Sequence, residues 1–334
     1  MRNPITGLTV LALALGLAAC GPEPVPEPRE VETPDAPLAV VDADQLASIL
    51  TAVTETLAAA DAASDAEQLA GRVTGPAATM RAAEYELARI TEGEETVTPL
   101  VTDAQVAVVG ATADWPRVVQ VVTTIPEGSN LPLLITLVQS EPRADYRLWS
   151  WVQLLPGTET PPTVNPATGS PQVPADADTL LVPPGEVLAR YVDVLNDAES
   201  EHAALFAEDE VRTLFAEDLE ALSDGASEAG TVDQTAATTD SGTHALGTHD
   251  GGAIVVGAIR RTLVFTRTVE DSTLTVGSNL AWDGDAEVEG SLTADHLLTL
   301  AFHVPAAGSE EPIRLLGAEQ VLTGVERDDS VSPD

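Results

Sequence analysis

The order of the sequence patterns constrains this 334-residue chain more than any single motif in it. Twice along its length, helical apolar spacing comes first and β-branched runs follow. In the first half, Asp42 and Gln45 have capping-box spacing, and Leu46, Ile49, Leu50, Val53 and Leu57 then form one apolar stripe. Ser64, Asp65, Ala66 and Glu67 repeat the start signal for a shorter helix. A third helix restarts at Gly75-Pro76, where proline suits a first turn. Met80, Leu87 and Ile90 give its buried side, Tyr85 lies beside them, and Gly93 is its stop. After Thr98 the character changes to runs at 106–109, 118–125, 131–138 and 146–155, separated by short Pro-, Gly- and Asp-bearing turns. Such short connections predict antiparallel neighbours.

The second half repeats the order. Pro183-Pro184-Gly185 leads into a helix with Val187, Tyr191, Val194 and Leu195 on its apolar side. A helical region over 201–222 carries Leu-Phe-Ala-Glu-Asp twice, at 205–209 and 214–218. A nine-residue shift turns a helix by about half a revolution, so a break near Asp209 and Glu210 is expected. Residues 223–252 are polar, with one weak strand at 231–237; strong strand runs follow at 253–269, 273–282, 296–304 and 313–322. Helices leading sheets, with no βαβ alternation, predict the α+β class. The expectation is two lobes, each with N-terminal helices packed on an antiparallel, curved sheet. Element order alone makes these analogous to cystatin-like or nuclear-transport-factor-2-like folds. The expected organisation is a leader at 1–19, a tether at 20–41, lobes at 42–156 and 185–326, a Pro-rich linker at 157–184 and an acidic tail at 327–334.

The N-terminus addresses location. Residues 8–19 are an apolar run too short to span a bilayer, which needs about 20 residues. The run ends Leu17-Ala18-Ala19-Cys20, the order of a secretory signal whose small-residue cut falls at a cysteine. Cys20 is the only cysteine in the chain. The expectation is a lipoprotein: a thioether-linked diacylglycerol on Cys20, with acylation of the new amine, palmitate among the candidates. A secreted protein with a stray thiol is the plainer alternative. Prolines and glutamates alternate through residues 21–37, which favours extended polyproline II and a spacer on the order of 50 Å at about 3.1 Å per residue.

Charge excludes whole function classes. There are 15 basic against 54 acidic residues, a net charge of −39. Nucleic acid and anionic headgroups repel such a body, so nucleic-acid binding is rejected. Every basic residue is arginine. That excludes a P-loop lysine, a Ser–Lys nucleophile pair and a pyridoxal Schiff base. The acidity reads as a solvated surface, with recruitment of a basic partner as the sharper alternative.

Three stretches carry a resemblance: Arg72-Val73-Thr74-Gly75-Pro76-Ala77-Ala78-Thr79-Met80-Arg81-Ala82-Ala83-Glu84-Tyr85, then Asp114-Trp115-Pro116-Arg117, then Tyr146-Arg147-Leu148-Trp149-Ser150-Trp151-Val152. Together they resemble an uncharacterised actinobacterial lipoprotein family that carries a domain of unknown function. The resemblance is strongest over 72–157. It implies a secreted, lipid-anchored protein and implies no activity.

Few constellations carry chemistry. His244 and His249, with Asp250, have a spacing that suits a metal such as zinc, though a polar hairpin loop accounts for the same residues. Asp283 and Asp285 open an acidic stretch that resembles a calcium loop, but Val288 stands where the template wants glycine. An acidic turn is the simpler account. Residues 225–229 miss the last glycine of a nucleophile elbow. Strand alternation puts Arg147, Trp149 and Trp151 on one face, either as a stacking platform for a sugar or peptide or as core filling. No cofactor is implied. The leading expectation is a membrane-anchored binding or scaffolding protein of the cell envelope, held through Cys20, with an envelope protein or glycan as partner. An envelope hydrolase using carboxylates or a metal is the alternative, and a solute receptor for a transporter the second.

Overall fold

The computed structural model describes residues 36–93, 96–98, 100–282 and 285–334. Cys20, the leader, most of the tether and Asp283 lie outside the described residues. Helix α1 (Ala43–Ala63) starts on the anticipated capping box, with Asp42 and Gln45 each satisfying the other's backbone N–H. It is long and apolar enough to cross a membrane by composition alone, yet Leu46, Leu50, Val53, Leu57 and Ala60 are buried in the folded body. A 3-10 turn (Ala66–Gly71) capped by Asp65 follows, then α2 (Gly75–Ile90) with proline in its first turn.

Four antiparallel strands come next: β1 (Ala104–Ala111), β2 (Arg117–Thr123), β3 (Leu133–Gln139) and β4 (Arg147–Leu154). Within the connector, β5 (Ser170–Pro171) pairs parallel with β1. Helix α3 (Pro184–Asn196) and a 3-10 turn at Ala203–Leu205 precede α4 (Glu210–Ala226), which is capped by Asp209 at the expected break. The remaining strands are β6 (Gly230–Gly247), β7 (Ala253–Arg267), the short pair β8 (Leu274–Thr275) and β9 (Glu287–Val288), then β10 (Ser291–Val304) and β11 (Arg314–Asp328).

The class is α+β, with helices packed on a large, mostly antiparallel sheet. The strands of the two halves run together as one sheet of nine, ordered β5-β1-β2-β3-β4-β11-β10-β7-β6. The seam between halves is narrow: β4 and β11 share only the pairs Leu154–Gly317 and Gln153–Ala318. At that seam the sheet folds over itself. Val119, Leu133, Ile135, Leu137 and Trp151 on one face of the first half pack with α1 and α2. Val118, Val122, Leu134 and Val152 on the other face pack with Leu246, Ile254, Val256 and Ala301 of the second half. The opposite face of the second half, through Val255, Ile259, Leu298, Leu300 and Phe302, packs under α3 and α4. The result is four layers, helix–sheet–sheet–helix. Among the described residues the outer edges form no strand ladder with each other, just an isolated bridge from Gln172 to Leu246, so the sheet does not close into a barrel.

Two stretches depart from their expected form. Strand β6 runs from Gly230 to Gly247, well beyond the one weak strand expected at 231–237 in this polar segment. Its outward positions are Thr, Asp and Ser, which mask the periodicity, while Val232 and Ala236 face the core. The expected strand over 273–282 shrinks to Leu274–Thr275 plus a 3-10 turn. Leu274, Leu280 and Val288 instead cap the far end of the long strands as a small cluster with Phe265 and Leu292.

Candidate functional site

The residues singled out in the sequence are largely pulled apart. Alternation fails in β4 because a bulge interrupts its pairing with β3: Thr136 lies opposite Ser150, but Leu137 lies opposite Leu148. Trp149 is the extra residue. Trp151 therefore points into the α1–α2 core, fully buried, while Trp149 packs between the two sheet halves. Arg147 stays exposed at the strand's start. The shared face anticipated for Arg147, Trp149 and Trp151 does not form, and neither indole is presented to solvent.

The two histidines part in the same way. His244 lies in β6, and its ring stands edge-on to Trp149 with centroids 4.5 Å apart. Burial pushes its pKa down to about 4, so it is neutral at pH 7. His249 sits in the exposed turn after β6, where its N–H bonds the carbonyl of Pro162. Asp250 instead faces His303, carboxylate to imidazole 3.3 Å, and accepts from Thr248. Asp285 is exposed and caps the backbone N–H of Glu287 at 2.9 Å. Among the described residues no group of three or more His, Cys, Asp or Glu is placed to hold a metal.

Trp115 is the exposed indole, at 38%. The Arg117 guanidinium lies over the Trp115 ring at 4.3 Å, and the Trp115 indole N–H donates to Gln139 Oε1 at 3.4 Å. A lone Trp in a turn before proline gave no periodic signal to mark it.

A groove of about 580 Å³ runs between α3 and α4 above β6. That size is typical of small-molecule sites. Val194, Leu195, Phe215 and Leu219 make its apolar walls. Its polar members are held in fixed positions. Asp209, at the start of α4, accepts the Tyr191 hydroxyl at 2.8 Å, the Arg212 backbone N–H at 2.9 Å and the Arg212 Nε–H at 2.9 Å. Burial, then the Asp209 charge, raises the Tyr191 pKa, so the hydroxyl keeps its proton and donates. Asn196 clamps the backbone of Ala236, donating to its carbonyl at 2.9 Å and accepting its N–H at 2.7 Å. Gln234 accepts from Arg261 Nε–H at 2.8 Å, and the Arg261 guanidinium stacks 4.2 Å from the Phe215 ring while bonding Asp218 at 3.0 Å. Burial lowers the Arg261 pKa against the pull of Asp218. The arrangement is a preformed groove of mixed character, with Leu195 and Leu219 beside rigidly held polar side chains.

A family model described as "Domain of unknown function (DUF8094)" matches residues 37–327. The chain belongs to that family. The match takes in both halves and the seam, so the folded sheet lies within the span of one DUF8094 domain. Comparison with curated proteins and with solved structures found no match.

Proposed function

We propose that this chain is a lipid-anchored, extracytoplasmic binding protein. Diacylglycerol on Cys20 moors it, and the folded body takes the apolar part of an amphipathic ligand or envelope partner into the groove between α3 and α4. The groove carries the reading: Leu195 and Leu219 give it apolar surface, its size suits a small molecule, and its polar groups are already oriented by Asp209 and Ala236. The location rests on the sequence around Cys20 and on the proline-rich spacer behind it. More than one acyl chain makes such attachment stable, each buried CH₂ contributing about 0.8 kcal/mol.

Two measurements test the halves of this reading separately. Mass spectrometry of the native N-terminus should find the chain beginning at an acylated Cys20; a free thiol or an intact leader overturns the anchoring. Native mass spectrometry of the full chain, extracted in mild detergent from its own membranes, should find a bound small molecule. Leu219→Trp, which fills the groove, should lose it. Retention of the same mass by that variant overturns the groove assignment.

A further inference from the structure

The seam between the sheet halves holds a carboxyl that has no ion-pair partner among the described residues. Strands β4 and β11 separate just past Ala318. Glu319 is the next residue, and a cavity of about 280 Å³ opens there, walled by Thr98, the 126–129 turn, Leu133 and Gln153. Among the described residues, none donates a hydrogen bond to the Glu319 carboxyl.

The cation paired with Glu84 has no capacity left. Arg81, 1% exposed, gives Nε–H and Nη2–H to Asp61 at 2.9 and 2.6 Å. Its Nη1 gives to Glu84 at 2.8 Å and to the Thr98 carbonyl at 2.6 Å. Glu84 is buried, and its second oxygen accepts the Thr98 backbone N–H at 3.3 Å. Asp61 also accepts the Tyr85 hydroxyl at 2.6 Å. The cluster behind Glu319 thus holds one guanidinium against two carboxylates. Glu127, on the turn across the cavity, adds a further acid. These are the charged groups that α1, α2 and the 126–129 turn bring to this corner; β4 contributes Gln153 and the adjacent strand β10 contributes Thr299, both neutral. An ionised Glu319 meets desolvation and like charge with no donor to offset either.

We propose that Glu319 is a proton-operated latch on the seam: protonated, it lets the strands close over the cavity, and ionised, it drives water and counter-ions in and loosens the Gln153–Ala318 and Leu154–Gly317 pairing. Burial first, and the Glu84 charge second, raise its pKa to about 7, which sets the transition near neutral pH. The seam joins the sheet half beneath α1 and α2 to the half carrying the groove, so the latch controls the strand pairing at that join.

Hydrogen exchange of the full chain in detergent micelles, corrected for intrinsic rates, tests this between pH 5.5 and 8.5. Backbone amides of 153–155 and 316–319 should lose protection about tenfold as pH rises through 7. Glu319→Gln should hold the low-pH protection throughout, and Glu84→Gln, which removes the like charge and leaves Arg81 with more unshared positive charge, should move the transition to lower pH; a shift to higher pH overturns the proposal. A transition that persists in Glu319→Gln overturns the proposal, as does a wild-type seam with flat protection. Failure of Glu319→Gln to fold also overturns it, because an amide and a protonated carboxyl are close in shape.

Discussion

The imidazole of His244 and the indole of Trp149 stand edge to face, 4.5 Å between centroids, and tie the outer strand of one sheet half to the bulge of the other. The Trp149 ring is held from a second side by Gly75. A Cβ built on Gly75 would lie 2.7 Å from both Cδ1 and Nε1 of the indole, and Gly75 has φ of +58°. Gly75→Ala is therefore expected to cost about 1–3 kcal/mol through strain and displacement of the ring. Trp149→Ala should cost more, about 3–5 kcal/mol, because it leaves a void between the sheets. Urea unfolding of both variants checks the order. Equal stability of wild type and Gly75→Ala would show that the ring has room to move.

Acid should weaken the fold through its buried histidines. Burial lowers both His244 and His296 to about 4, with Arg261 a second cause at His296. The unfolded chain takes up these protons first, near pH 6.5, so their contribution is complete above that pH and lost as pH falls toward 4. His244→Phe keeps an aromatic edge against Trp149 and removes the proton site. It should recover about 2 kcal/mol at pH 4.5 relative to pH 7.5. Glu319 acts in the opposite sense: raised to about 7, it contributes fully below about 4.5 and loses that contribution as pH rises through 7. Thermal unfolding of wild type, His244→Phe and Glu319→Gln across this range separates the two limbs.

Elements with local signals were legible in the sequence, and those set by long-range packing were not. The Asp42–Gln45 box, the proline at the start of α2 and the break at Asp209 each use neighbours a few residues away, so spacing alone revealed them. The faces of Trp149 and Trp151 depend on a bulge that exists only against β3, and alternation therefore misplaced them. Strand β6 gains its order from β7 and from the Asn196 clamp rather than from its own Thr-rich composition. The groove needs α3, α4 and β6 together, and Glu319 looked like any other of 54 acids until its place on the seam cavity was known.

Arg81 should be far less tolerant of losing a partner than of being replaced together with it. Asp61→Ala removes two of its four hydrogen bonds and the acceptor of the Tyr85 hydroxyl. An incompletely paired guanidinium in a site 1% exposed is expected to cost about 3–5 kcal/mol. The double variant Asp61→Ala, Arg81→Met should be closer to wild type than the sum of the single changes, since the buried charge leaves with its partner. A double-mutant cycle in urea gives the coupling, and strict additivity would show that the two residues act independently.

The last expectation concerns the open edge of the sheet. Strand β6 ends the nine-strand order, and an unpaired edge invites pairing with another chain. Two devices blunt it. Residues 239–242 bulge out of register with β7, and Gly242 takes a left-handed φ of +74° that bends the strand. Asn196 then occupies the backbone of Ala236 as a strand would, with one bond in each direction. Asn196→Ala frees both Ala236 groups, at about 1–2 kcal/mol for the lost bonds. It also restores a usable edge, so light scattering should show association that rises with protein concentration. Asn196→Asp keeps the acceptor and loses the donor, and it should fall between the two. If Asn196→Ala is destabilised but remains monomeric at every concentration, the bulge alone protects the edge and the clamp serves only to hold α3 against the sheet.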